Sequence, residues 1–221
     1  MEKIAAVILM AGLSSRFGGE TNKQLCQLKG KPVFSYSLDT FAAHKNINQL
    51  IIVVNKNNQE IIEKYTKSMG IPAYFVLGGQ TRQESVEHAL KEISPETDLV
   101  IIHDGARPLV EEKQILDVEK EARKYGASST YIKSSDTIAK IDKDEMVDCF
   151  VSRDEIVQIQ TPQAFKFDLL VKAHKESLDK SATDDCSLLL SLGEKVKLVQ
   201  GSKKLHKITT KEDLIYLESI I

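Results

Sequence analysis

Short runs of aliphatic and β-branched residues alternate along this chain with longer stretches in which apolar positions recur every three or four residues. The first kind predicts strands at 4–10, 50–54, 73–76, 99–102 and 127–131; the second predicts helices at 33–44, 59–69, 83–93 and 113–125. Strands so continuously apolar need cover on both faces, and strand-helix alternation is the signature of right-handed crossovers. The expected architecture is an α/β fold, a three-layer α/β/α sandwich around a mostly parallel, Rossmann-like sheet. Pro32 suits the first turn of its helix, and Pro72 separates helix 59–69 from the next strand.

After residue 131 the pattern changes. Residues 137–141 and 146–151 flank the polar turn Asp142-Lys143-Asp144-Glu145 and read as a β-hairpin within an excursion over 132–158. A two-stranded ribbon is marginal alone in water, so this arm is expected to pack against a partner subunit. The last third returns to α/β: helices at 166–178 and 184–192, a strand at 196–199 and a closing helix at 211–219, with Thr183 expected to cap the second helix. No repeat or linker divides the chain, which reads as one domain over 1–221 carrying the arm.

Composition excludes several classes. With 42% hydrophobic and 28% charged residues the chain has the make-up of a soluble globular domain, and its net charge of −2, with Lys and Arg dispersed among acids, gives no footprint for nucleic acid. No apolar run approaches the roughly 20 residues that span a bilayer, so no membrane partner is expected. Cys26, Cys149 and Cys186 are widely spaced and form no Cys-x-x-Cys pair, which points to a reducing, cytoplasmic setting rather than to disulfides or zinc.

The richest chemistry lies directly after the first strand, in Met10-Ala11-Gly12-Leu13-Ser14-Ser15-Arg16-Phe17-Gly18-Gly19-Glu20-Thr21-Asn22-Lys23. Small residues let backbone amides approach an anion, and Arg16 and Lys23 add two cations on the same loop; together they suit a nucleoside triphosphate. A Walker loop is excluded because Lys23 is followed by Gln24 rather than Ser or Thr. A dinucleotide fingerprint is excluded by the glycine spacing and by Asn55 where an acid should end the next strand. Five more segments fall at predicted strand ends or in loops: Gly78-Gly79-Gln80-Thr81-Arg82-Gln83-Glu84-Ser85-Val86, His103-Asp104-Gly105-Ala106-Arg107-Pro108, Arg153 with Gln160-Thr161-Pro162-Gln163, Thr183-Asp184-Asp185, and Gly201 through Lys207 to Thr210.

In this order the set strongly resembles the 2-C-methyl-D-erythritol 4-phosphate cytidylyltransferase family over nearly the whole chain, from Ala6 to Leu214. The resemblance implies that a phosphate oxygen of the acceptor attacks the α-phosphorus of CTP and pyrophosphate leaves, with Mg²⁺ as the expected cofactor. It implies that Arg16 and Lys23 stabilise the transition state, and that Ala11, Gly12, Gly79, Ser85 and Ala106 bind the nucleotide. Asp104, Arg107, Thr137, Arg153, Thr161, Thr183 and Lys207 would bind the acceptor, with Arg153 and Lys207 gripping its phosphate. The arm would reach the neighbouring subunit's pocket, which implies a homodimer with shared sites. Asp104 is open to three readings: acceptor hydroxyls, Mg²⁺, or a simple pair with Arg107. Ser85 is open to two, base recognition or a helix cap; His103 reads as a structural, hydrogen-bonding histidine. Met10, Asn22 and Leu205 depart from the family pattern; Asn22 replaces a rigid proline and predicts a looser loop, and Leu205 removes a polar side chain beside the acceptor lysine. A ribitol 5-phosphate cytidylyltransferase, a non-catalytic nucleotide-binding regulator and an NAD-type oxidoreductase are the competing readings.

Overall fold

A computed structural model describes residues 2–12, 17, 22–68, 73–178 and 182–221. In chain order its elements are β1 (Ile4–Leu9), the two-residue strands β2 (Gln27–Leu28) and β3 (Lys31–Pro32), α1 (Val33–Ala43), β4 (Ile47–Val54), α2 (Gln59–Thr66), β5 (Ala73–Leu77), α3 (Arg82–Glu92), β6 (Leu99–Asp104), α4 (Glu112–Tyr125), β7 (Ala127–Lys133), β8 (Ile138–Ile141), β9 (Val147–Val151), β10 (Val157–Lys166), α5 (Phe167–Glu176), α6 (Asp185–Ser191), β11 (Lys197–Gln200) and α7 (Lys211–Ser219). The periodicities therefore locate each expected helix and strand to within a few residues.

Seven strands form one sheet in the order β11-β7-β10-β6-β1-β4-β5. β1 lies parallel to β4 and β6, β4 to β5, and β7 to β11. The continuous apolar runs have a direct cause. Along β1, Ile4, Ala6 and Ile8 pack with Phe34, Leu38 and Phe41 of α1, Ile62 of α2 and Val118 of α4. The intervening Ala5 and Val7 pack with Val86 and Ala89 of α3, Leu170 of α5 and Leu188 of α6. Alternate side chains point to opposite faces, so a strand sandwiched between two helical layers has no polar side.

Strand β10 was not legible in the pattern. It runs antiparallel to both β6 and β7 in the middle of the sheet and contains Pro162, a residue that ordinarily argues against a central strand. The ladder to β7 shifts register between Ile159 and Gln163, so the missing proline N–H falls at an irregularity and regular pairing resumes at Gln163. A second correction concerns α6. Its cap is Asp184, whose carboxylate accepts from the Cys186 amide at 2.9 Å, and not Thr183, which lies exposed one residue earlier.

β8 and β9 pair with each other as a separate two-stranded ribbon. Ile141, Met146, Val147 and Phe150 stand in solvent on it, Phe150 with 73% of its surface exposed. Elsewhere a small third core joins Phe17, Leu28 and Val33 to Ile208 and to Leu217 of α7. That core ties the segment carrying Lys23 to the segment carrying Lys207, 184 positions apart in the sequence.

Candidate active site

β1, β4, β5 and β6 run parallel and therefore end on the same side, where an open α/β sheet places its ligand. A cleft of about 780 Å³ opens there. Its lining includes Ala11, Gly12, Lys23, Gly79, Ser85, Asp104, Ala106 and Lys207 from the expected set, together with Asn55 and Arg82. Another cleft, of about 740 Å³, lies by Leu99 and Phe167 at the opposite end of β6 and gathers none of the motif residues.

The first loop is held at its base by two asparagines: Asn58 donates to the Met10 carbonyl at 2.9 Å and Asn55 to the Ala11 carbonyl at 3.1 Å. Arg16 lies outside the described residues. Lys23 opens a single 3-10 turn, Lys23–Leu25, and its Nζ donates to the Ile208 carbonyl at 2.8 Å. The Asn22 side chain accepts from the Gln24 amide at 3.1 Å and caps that turn, while most of the loop before it, for which a looser form was expected, lies outside the described residues. A Cβ on Gly12 would meet no protein atom, so the space above that backbone belongs to the cleft. A Cβ on Gly79, by contrast, would lie 2.4 Å from the Glu84 Cβ, so only glycine lets the loop close onto α3.

Ser85 is not the cap of α3. Thr81 is, accepting from the Glu84 amide at 3.1 Å. The Ser85 hydroxyl donates to the Thr81 carbonyl at 2.9 Å and accepts from the Gly79 amide at 3.1 Å. Its proton is committed, and the remaining lone pair is an acceptor.

At the end of β6, buried Asp104 stands among three cations. Lys207 Nζ is 2.7 Å from its Oδ2, Arg82 Nε 3.4 Å from its Oδ1 and Arg107 Nε 3.9 Å from its Oδ2. Burial pushes the carboxyl up, but Lys207, Arg82 and Arg107 together outweigh it and hold Asp104 well below the usual carboxylate range. Asp104 is therefore ionised, and Arg107 is the most distant of its partners rather than the only one. Arg107 instead donates to the Leu205 carbonyl at 2.5 Å. The Leu205 side chain is fully buried in the core, so the departure there changes packing and leaves Lys207 on its carboxylate. Met10 is likewise a core residue, filling the space in which a Cβ on Gly105 would come within 2.7 Å of its Cγ.

Arg107, Thr137, Arg153, Thr161 and Thr183 do not line this cleft. Thr161 is buried beneath Asp104, accepting from the Asp104 amide at 3.0 Å. Thr137 and Arg153 lie on the arm, both exposed, with Arg153 in a turn at its root and its guanidinium 3.4 Å from the Ser135 carbonyl. The spacing argument gave no role to Asn55 and Asn58, and Arg82, named in the glycine-led motif without a binding role, lies against Asp104. Polar side chains immediately after apolar strand runs were the available signal.

His103 is fully buried between Arg107 and Thr161. Its Nε2 lies 3.0 Å from the Arg107 carbonyl, which cannot donate, so Nε2 carries the proton; Nδ1 then accepts from the Thr161 hydroxyl at 3.2 Å. Burial lowers its pKa to about 4, against a smaller opposing effect of the Arg107 carbonyl and Asp104. The unfolded chain titrates near pH 6.5, so between roughly pH 6.5 and 4 it binds a proton the folded protein refuses, and stability falls as pH drops. The loss across this window is on the order of 3 kcal/mol. Melting temperature followed from pH 7 to 4 should show this decline, and His103→Gln should flatten it; an equal slope in both proteins would rule out His103 as the source.

The comparisons with known proteins agree. A family model described as 2-C-methyl-D-erythritol 4-phosphate cytidylyltransferase matches residues 4–221. A protein of that name from Desulforamulus reducens is 38% identical over 100% of this chain and 97% of its own length, and one from Clostridium novyi is 38% identical over the same shares. Among solved structures, the 4-diphosphocytidyl-2C-methyl-D-erythritol synthase of Anaerococcus prevotii superposes with a TM-score of 0.88 at 34% identity, covering 99% of this chain and 98% of that one. The Thermus thermophilus 2-C-methyl-D-erythritol 4-phosphate cytidylyltransferase gives 0.79 at 29% identity, with 100% and 98% covered.

Proposed function

This chain belongs to the 2-C-methyl-D-erythritol 4-phosphate cytidylyltransferase family, and from that premise we infer that the cleft at the carboxyl ends of β1, β5 and β6 is where its chemistry takes place. The enzyme transfers a cytidylyl group from CTP to 2-C-methyl-D-erythritol 4-phosphate, releasing pyrophosphate, in isoprenoid biosynthesis. Neither the ribitol 5-phosphate enzyme nor a non-catalytic regulator is favoured by the relatives.

One observation carries the placement: loops far apart in the sequence bring Lys23, Gly79, Ser85, Asp104 and Lys207 around one cleft. The acceptor's phosphate is already ionised near neutral pH, so the reaction needs no strong general base. What it needs is alignment of two anions and a place for the charge that grows on the leaving pyrophosphate. In this reading CTP lies over Ala11, Gly12, Gly79 and Ala106, and the lone pair left on Ser85 accepts from the exocyclic amino group of cytosine. Arg16 and Lys23 draw charge off the α-phosphate and the pyrophosphate. Lys207 keeps one N–H on Asp104 and turns its others to the acceptor phosphate, while Asp104 accepts from the acceptor's hydroxyls.

Magnesium belongs to this reading as an ion brought by the triphosphate. Among the described residues no cluster of three or more His, Cys, Asp or Glu side chains is shaped to hold a metal, and both Asp104 oxygens are engaged by cations. That donor set fits an ion coordinated mainly by phosphate and water, which would supply further neutralisation of the polyphosphate. In this reading two subunits pair as a homodimer: the arm exposes apolar side chains, and Thr137 and Arg153, which do not line the cleft of their own subunit, are read as contacts in the neighbouring one. We take 1–221 as a single catalytic unit with 132–158 as its arm. No helix among the described residues is long and apolar enough to cross a membrane, and the three cysteines are unpaired, in keeping with a cytoplasmic enzyme.

Pyrophosphate release from CTP, measured with 2-C-methyl-D-erythritol 4-phosphate and with ribitol 5-phosphate in turn, tests the acceptor. Turnover is expected with the first; preference for the second would overturn the assignment.

A further inference from the structure

A line of paired polar side chains crosses the protein from its back layer to the cleft. His174 on α5 places Nε2 2.9 Å from Asp185 Oδ1, and Asp185 Oδ2 lies 2.6 Å from Arg82 Nη1. Arg82 Nε then reaches Asp104 Oδ1 at 3.4 Å, and Asp104 Oδ2 holds Lys207 at 2.7 Å. Asp185 is 1% exposed and His174 4%. Buried ion pairs give little net stability over well-packed apolar groups, so stability alone is a weak reason for this arrangement.

Geometry supplies a better one. A guanidinium facing a single carboxylate tends to close on it with two parallel N–H donors. Arg82 does not: Asp185 takes Nη1, only Nε faces Asp104, and Nη2 is buried with no hydrogen-bond partner among the described residues. We propose that His174 and Asp185 are positioning residues for the acceptor, holding Arg82 turned away so that Asp104 keeps an oxygen edge open to the acceptor's hydroxyls. His174 acts by fixing Asp185, donating from Nε2 to the oxygen that Arg82 does not use. Loss of either residue releases Arg82 to close on Asp104 and cover the edge that the acceptor needs. Burial pushes the Asp185 carboxyl up, but Arg82 and His174 outweigh it, so it carries the charge this role requires.

The proposal rests on Asp104 being an acceptor contact, and its test separates the two claims. KM is measured for 2-C-methyl-D-erythritol 4-phosphate and for CTP in Asp104→Asn, Asp185→Asn, His174→Leu and His174→Gln. The first three should raise the acceptor KM about tenfold and leave the CTP KM within about twofold, as expected for losing one charge-assisted hydrogen bond. His174→Gln, which keeps an N–H donor toward Asp185, should stay near wild type. An unchanged acceptor KM in Asp104→Asn overturns the site reading and this proposal with it. A raised KM there, with no change in Asp185→Asn and His174→Leu, overturns the relay alone. Equal rises for CTP and acceptor, or a defect in His174→Gln matching that of His174→Leu, mean general loosening and also overturn it. Should Asp185→Asn not fold, the contrast between the two His174 variants decides.

Discussion

Lys23→Ala is expected to lower kcat for pyrophosphate release by about 10²- to 10³-fold, the effect of deleting one preorganised donor aimed at developing charge, or about 3 to 4 kcal/mol. The CTP KM should change by only a few fold. In the proposed site the ground-state triphosphate would retain the loop amides and Arg16, whereas Lys23 would address the charge that grows between the α-phosphate and pyrophosphate. The structure supports this division. Lys23 lines the cleft and opens a capped turn, and its Nζ is tethered to the buried Ile208 carbonyl, so the ammonium is placed before substrate arrives. Initial rates at saturating CTP and acceptor are the measurement. A variant with wild-type kcat would remove Lys23 from the chemistry and favour a role in nucleotide binding alone.

Mixing two inactive variants should restore activity. Arg153 stands on the arm, exposed and outside the cleft of its own subunit, while Lys207 lines that cleft. In a dimer whose arms reach across, each site combines one subunit's Lys207 with the other's Arg153. Arg153→Ala and Lys207→Ala homodimers should each be severely impaired at low acceptor concentration. Random reassembly makes half the dimers mixed, and each mixed dimer has one intact site, so activity should recover to about one quarter of wild type. Were Arg153 to serve its own subunit, mixed dimers would contain no intact site and the mixture would stay as inactive as its parts. The readout is pyrophosphate release before and after subunit exchange, at an acceptor concentration below the wild-type KM.

The sheet and its helices were legible because their cause is local. Ile4 to Leu9 is apolar at every position, which only a strand covered twice requires, and the 3.6-residue period of α1 and α4 follows from the stripe each lays on the sheet. The expectation of a phosphate loop has a similar local basis, since small residues and two cations stand together in one short run of sequence. The failures share the opposite cause. Strand β10 pairs with neighbours more than twenty residues away and carries a proline tolerated only through a register shift in the ladder to β7. Thr183 and Asp184 are both good caps, and the choice between them follows from where α6 docks.

By itself, the sequence determined the three-layer α/β architecture and the family, since each rests on the order and spacing of residue types along the chain. Only the tertiary structure decided what those residues face. Asp104 could have paired with Arg107 three positions on, yet Lys207, 103 positions away, holds it more closely, and buried Asp185 restrains Arg82 beside it. Charge acts through space across a few ångströms with little water between, so its partners are set by how distant loops converge at strand ends, and one-dimensional spacing carries no record of that.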